Sequence, residues 1–234
     1  MFYIKLVLIV LHTLLCSFLA LLSGVMDRSF FTYKYITKLF SGGILIISGV
    51  KVKTSGIENI RGEGPFIFVS NHISQFDIIA LQFTIPLKTG FIFKKELAKI
   101  PLFGWQLLTG PHIVIDRSNA ESALKSIHRA RHKMKSKSVS MILFPEGTRS
   151  KNGELQQFKR GAFHLAGQVN YPIIPVTIKD SDKLLPKGSL KINKGTIRVI
   201  FSTPVDTTKV ESRNDELELM GKVRDIIAGN YYSK

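Results

Sequence analysis

Cysteine is almost absent from this chain: its 234 residues contain one, Cys16. A disulfide framework and a cysteine-rich metal site are both excluded, and the soluble part of the chain fits a reducing, cytosolic setting. Acidic residues are scarce too. Seventeen Asp and Glu stand against 33 Lys and Arg, a formal charge of +16. An excess of that size points to anionic partners, whether nucleic acid, an anionic membrane surface or phosphorylated substrates. Two further absences argue against nucleic acid. The positive residues are scattered, with no run long enough for a nucleic-acid arm, and neither an RNA-binding aromatic signature nor a zinc-finger spacing occurs. No internal repeat or low-complexity segment interrupts the chain, so its length corresponds to one sizeable core with an appendage.

The apolar content of 44% is ordinary, but it is concentrated at the N-terminus. Leu6 to Met26 form a nearly unbroken apolar run, long enough to cross a bilayer as a helix. A cleaved signal peptide competes with this reading, because Lys5 precedes the run and small residues close it. Against cleavage, the run exceeds a usual signal core, and Asp27-Arg28 follow without a small-x-small site. Lipidation at Cys16 would need a small residue where Leu15 stands. A retained anchor is the expectation. Phe30 to Val50 then interleave Phe31, Tyr33, Tyr35 and Phe40 with Lys34 and Lys38, a mixture suited to the headgroup region. The two segments read as a spanning helix plus an interfacial one, or as a helical pair dipping into one leaflet. A buried helical hairpin is the alternative. Arg28, Lys34 and Lys38 outnumber Lys5, so the remainder of the chain is expected on the cytoplasmic side of a membrane.

Beyond residue 50 the composition becomes that of an α/β domain. The expected division is thus a membrane-anchoring helical segment over 1–50 and an α/β domain over 51–234. Short apolar runs at 66–69, 90–93, 113–115, 140–144 and 173–178 alternate with helix-like stretches at 76–84, 102–108, 119–135 and 159–169. This alternation predicts a mixed, largely parallel sheet covered by helices. Two further strand candidates, 190–192 and 196–201, flank Asn193-Lys194-Gly195, a hairpin signal. An amphipathic helix from Asp215 to about Ile227 ends the pattern.

Polar clusters recur where the strands end, which is where open α/β sheets bind ligands. The first, Ser70 to Asp77, holds an imidazole and a carboxylate, His72 and Asp77. Five positions on a straight helix turn through about 500°, so these side chains do not stack as i,i+4 partners do. They meet if His72 lies in the turn before a helix and Asp77 within its first turns, leaving one ring nitrogen free as a base. A capping His and a dipole-favoured Asp would account for the same residues. The other strand ends carry Lys94-Lys95, Asp116-Arg117, and Glu146-Gly147-Thr148-Arg149. Gly147 permits tight backbone approach, Thr148 offers a hydroxyl, and Arg149 a planar fork for phosphate or carboxylate. Cations converging on an oriented base suggest a phosphorylated substrate whose hydroxyl is activated.

The order of these clusters resembles the glycerolipid acyltransferase family, and most nearly the 1-acylglycerol-3-phosphate acyltransferases. Asn71-His72-Ile73-Ser74-Gln75-Phe76-Asp77 resembles its first block. Lys94-Lys95-Glu96-Leu97 with Pro101, Gly104 and Gly110 through Asp116-Arg117 resembles the second, and Phe144-Pro145-Glu146-Gly147-Thr148-Arg149-Ser150 the third. Tyr171 to Val176 resembles the fourth. The likeness covers roughly residues 60 to 180, and His112 is a departure from its pattern. It implies that His72 takes the hydroxyl proton of lysophosphatidic acid while Asp77 orients the ring. The freed oxygen then attacks an acyl thioester directly, with acyl-CoA or acyl-carrier protein as donor and no metal or cofactor. Lys94 or Lys95, Arg117 and Arg149 are implied as phosphate holders, and Glu146, Gly147 and Thr148 as part of the substrate site. Glycerol 3-phosphate or a lyso-ornithine lipid is the alternative acceptor. A non-catalytic anionic-lipid binder is the alternative of another class.

Overall fold

A computed structural model describes residues 2–62, 64–116 and 120–233. Helix α1 (Phe2–Met26) carries one Lys and no acidic residue, and it is long and apolar enough to cross a membrane. Asp27 turns the chain into α2 (Phe31–Ser48) by accepting the N–H groups of Ser29 and Thr32 at 2.9 and 2.8 Å. The two helices pack closely because Gly43 has no side chain. A Cβ there would lie 2.2 Å from His12 Nε2, which is itself 3.1 Å from the Phe40 carbonyl oxygen. Gly49, at φ 72°, closes α2 in the left-handed conformation and releases the chain into the sheet.

Seven strands follow: β1 (Val50–Ser55), β2 (Ile67–Ser70), β3 (Thr89–Lys94), β4 (Ile113–Ile115), β5 (Ser140–Leu143), β6 (Ile173–Lys179) and β7 (Gly195–Phe201). Their order across the sheet is β1-β7-β6-β2-β5-β3-β4. Every pairing is parallel except β6 with β7. The central strands β2, β5 and β6 are buried along their whole length because both of their faces are covered. Successive side chains of β2 point to opposite sides, so Ile67 and Val69 enter one core and Phe68 the other. The first core is completed by α5 (Ala120–Lys137), α6 (Gly161–Val169) and α8 (Arg213–Tyr232), through Met134, Phe163 and Val223. The second takes α3 (Phe76–Thr84), α4 (Phe103–Thr109) and the end of α2, through Leu81, Leu107 and Leu45. A short helix, α7 (Ser181–Leu184), follows β6.

One expected hairpin is absent. Residues 190–194 form no strand; instead Asn193 is tied back to α7, its N–H to the Leu184 carbonyl at 2.9 Å and its side-chain amide to Lys183 at 3.0 Å. Both edges of β7 are occupied by β6 and β1, so a local partner has nowhere to pair. The strand β1 supplies the pairing that the hairpin was expected to provide. On α5 the basic side chains of His128, Arg129, Arg131, His132 and Lys135 are exposed.

Candidate active site

The site forms where β2 gives way to α3. Asn71 closes the strand by pairing its amide with β6: Nδ2 donates to the Ile178 carbonyl at 2.9 Å, and Oδ1 accepts the Ile178 N–H at 2.8 Å. His72 precedes α3, and Asp77 lies in its first turn, where the helix dipole favours a carboxylate. Asp77 is wholly buried. Its Oδ2 accepts the N–H groups of Ile73 and Ser74 at 2.7 and 2.8 Å, and His72 Nδ1 at 2.8 Å. A carboxylate only accepts, so the proton of the neutral imidazole resides on Nδ1 and Nε2 presents a lone pair. The Phe144 ring stacks on the imidazole, 4.1 Å between centroids and 22° from parallel. The ring is thus held from two directions, while 15% of the side chain stays open to a ligand.

The turn after β5 supplies the second wall. Ser150 N–H donates to the His72 carbonyl at 2.8 Å. Glu146 points inward: Oε1 accepts the His72 backbone N–H at 3.1 Å, and Oε2 accepts Gln156 Nε2 at 2.7 Å. The Glu146 carboxyl is pushed up to about 7, chiefly by burial, with the nearby Asp77 charge adding and the two hydrogen bonds opposing. Gly147, at φ 72°, adopts the left-handed conformation, and a Cβ there would press to 3.1 Å from Lys159 Nζ. Thr148 is exposed. The Arg149 carbonyl is fixed by Lys187 Nζ at 2.6 Å, while its guanidinium has no hydrogen bond or ion pair among the described residues. Lys94 is likewise exposed and without an ion pair among the described residues. Lys95 is paired with Asp116, so it is already partly neutralised. Arg117 lies outside the described residues.

Beside this site an apolar cavity of about 270 Å³ separates the N-terminal helices from α3 and α4, lined among others by Ala20, Phe40, Ile78, Phe103 and Leu107. Gln75, next to the His72 junction, belongs to the same lining. At another part of the lining sits a buried polar network. Phe91 N–H donates to His112 Nδ1 at 3.3 Å, so Nε2–H donates to the Tyr33 hydroxyl at 3.1 Å, and that hydroxyl donates to Gln106 Oε1. Burial, with the Lys133 charge adding, depresses His112 to about 3 and keeps it neutral. The residue that departs from the family pattern therefore joins α2 to the strand layer.

Two contributors to the site, Gln156 and Ser181, belong to none of the clusters read from the sequence. Gln156 and Ser181 reach the site from elsewhere in the chain, and Phe144 stacks from a strand end. Ser181 has the better sequence signal, a small polar residue just past the apolar strand 173–178, at the sheet edge where ligands gather.

A buried carboxylate aiming an imidazole beyond the ends of parallel strands, beside an apolar cavity, is the geometry that the α/β fold of this protein presents. A family model described as acyltransferase matches residues 51–179, and the chain belongs to that acyltransferase family. A 1-acyl-sn-glycerol-3-phosphate acyltransferase of Limnanthes douglasii is 36% identical over 167 residues, covering 71% of this chain and 59% of that one. One of Saccharomyces cerevisiae is 29% identical over 231 residues, 96% and 76% of the two chains. The crystal structure of the 1-acyl-sn-glycerophosphate (LPA) acyltransferase PlsC of Thermotoga maritima superposes with a TM-score of 0.76 at 26% identity, covering both chains completely. The chain spans between 50% and 59% of the length of the first curated relatives it matches.

Proposed function

We propose that this chain is a 1-acylglycerol-3-phosphate O-acyltransferase, moving an acyl group from an acyl thioester to the free hydroxyl of lysophosphatidic acid to make phosphatidic acid. The observation that carries the reading is the His72–Asp77 pair, with Nδ1 bound to a buried carboxylate and Nε2 without a hydrogen-bond partner among the described residues. Nε2 removes the hydroxyl proton as the oxygen bonds to the thioester carbonyl carbon. The tetrahedral intermediate collapses with cleavage of the C–S bond, and the imidazolium returns its proton to the leaving sulfur. Asp77 neutralises the imidazolium formed in between. No enzyme nucleophile is required. Aligning the two reactants is itself worth about 7–11 kcal/mol in favourable cases. Arg149 and Lys94 supply free positive charge for the acceptor phosphate, Lys95 and Arg117 are further candidates, and Gly147 with Thr148 shapes the adjoining turn. Glu146 acts by holding the His72 backbone.

The apolar cavity offers an aliphatic chain a place beside the base, and α1 with the lysines of α2 attaches the protein to a membrane containing both lipids. The donor is acyl-CoA or acyl-carrier protein, used on the cytoplasmic side, and direct transfer needs no cofactor. The test is His72→Ala beside the native enzyme, whose own turnover is compared on acceptors with and without a phosphate. Transfer by the variant is abolished while lysophosphatidic acid still binds; its near-normal turnover overturns the mechanism, and equal use of a phosphate-free acceptor by the native enzyme overturns the substrate.

A further inference from the structure

We infer that Ser181 is a positioning residue for this reaction, its hydroxyl holding the second oxygen of Asp77 and thereby fixing the aim and charge of the His72 dyad. The carboxylate receives four donors, distributed unevenly. Three converge on Oδ2, all from residues within five positions of Asp77. The fourth, the Ser181 hydroxyl, is the one donor to Oδ1 among the described residues, and it arrives from 104 positions away. Ser181 is itself fully buried, so no water replaces it at the surface. Removing the hydroxyl leaves a buried carboxylate oxygen undonated and frees the group to rotate away from the geometry that its backbone donors impose.

The turn that delivers Ser181 is braced. Asp180 adopts φ 70°, and its carboxylate is held by Arg198 Nε at 2.8 Å and Lys183 Nζ at 2.6 Å. Ser74 Oγ donates to the Leu185 carbonyl at 2.9 Å, tying the junction before α3 to the residue after α7. The Asn71–Ile178 pair aligns the exit of β2 with that of β6. A hydroxyl presented from a backbone so restrained acts as a fixed dipole. Glu146, through the His72 backbone, and Tyr231, which senses the Asp77 charge, are further titratable side chains near this cluster.

The inference rests on the general-base reading of His72, and the experiment separates the two. Full-length protein in micelles is assayed with lysophosphatidic acid and acyl-CoA over a range of pH. Ser181→Ala lowers kcat on the order of tenfold, the weight of one hydrogen bond to a charged group. Its acceptor KM stays within about twofold, since the hydroxyl touches no substrate. Ser181→Thr, which keeps the hydroxyl, retains kcat within about threefold. Unchanged kcat in Ser181→Ala, a loss confined to KM, or a loss that Ser181→Thr does not rescue overturns the inference. Should circular dichroism show Ser181→Ala unfolded, the near-isosteric Ser181→Cys, a weak donor, is read by the same criteria. If His72→Ala is inactive while Ser181→Ala matches the native enzyme, this inference alone fails. If His72→Ala keeps turnover, the mechanism beneath it fails.

Discussion

Replacing Glu146 with Gln makes the protein more stable at pH 8 and leaves its stability at pH 5 nearly unchanged. The side chain is 3% exposed, and its carboxyl sits at about 7 against an ordinary 4.5. Because the folded value is the higher one, the native state holds the proton more tightly than the unfolded chain does. The resulting stability is complete below about 4.5 and is lost as the pH rises through about 7. At about 1.36 kcal/mol per pH unit, that interval corresponds to about 3 kcal/mol. Gln has the shape of the protonated acid and no charge at any pH. Its carbonyl oxygen accepts the His72 N–H, and its amino group donates to Gln156 once that amide turns over, as a protonated Glu146 would. The variant therefore keeps at pH 8 what the native protein has given up, a gain of roughly 6–12 °C in Tm for a chain of this size. Thermal unfolding of both proteins in one detergent, from pH 5 to pH 8, gives curves that meet at the acid end and diverge above neutrality. A constant offset across the range, or coincident curves, refutes the assignment of a titrating, buried Glu146.

Arg149→Ala raises KM for lysophosphatidic acid about tenfold, as expected for loss of a charge-assisted contact, and leaves the thioester KM nearly unmoved. Steady-state kinetics with each substrate varied in turn checks this, and the reverse pattern places Arg149 on the donor. Tyr33→Phe strands two buried partners, the Gln106 carbonyl and the His112 N–H, at a cost of about 2–4 kcal/mol. A Tm equal to that of the native protein shows that the network does not join α2 to the sheet.

The inner strands are legible because each is a short apolar run, the composition of a strand covered on both faces. Residues 50–55 obscure themselves. Val-Lys-Val-Lys-Thr-Ser exposes four of its six positions and reads as a polar connector, yet it pairs in register with β7 over its whole length. No local pattern encodes a pairing between residue 50 and residue 195, and the turn-like Asn193-Lys194-Gly195 supplies a false local partner. The site divides similarly. His72 and Asp77 are five positions apart and announce their meeting through the strand-to-helix change around them. The inward turn of Glu146, the pairing of Lys95 with Asp116 and the arrival of Ser181 depend on elements packed from elsewhere, so only side-chain geometry reveals them.

Three side-chain bonds at the junction after β2 reach more than a hundred positions along the chain, from Asn71 to Ile178, from Ser74 to Leu185 and from Asp77 to Ser181. Contacts of such separation form late, since a long loop must close first. On the ribosome, α1 and α2 emerge well before residue 185 has been synthesised. A nascent chain at that stage has His72 and Asp77 but lacks the residues that brace them. The His72–Asp77 pair thus takes its final form only after both N-terminal helices have been made.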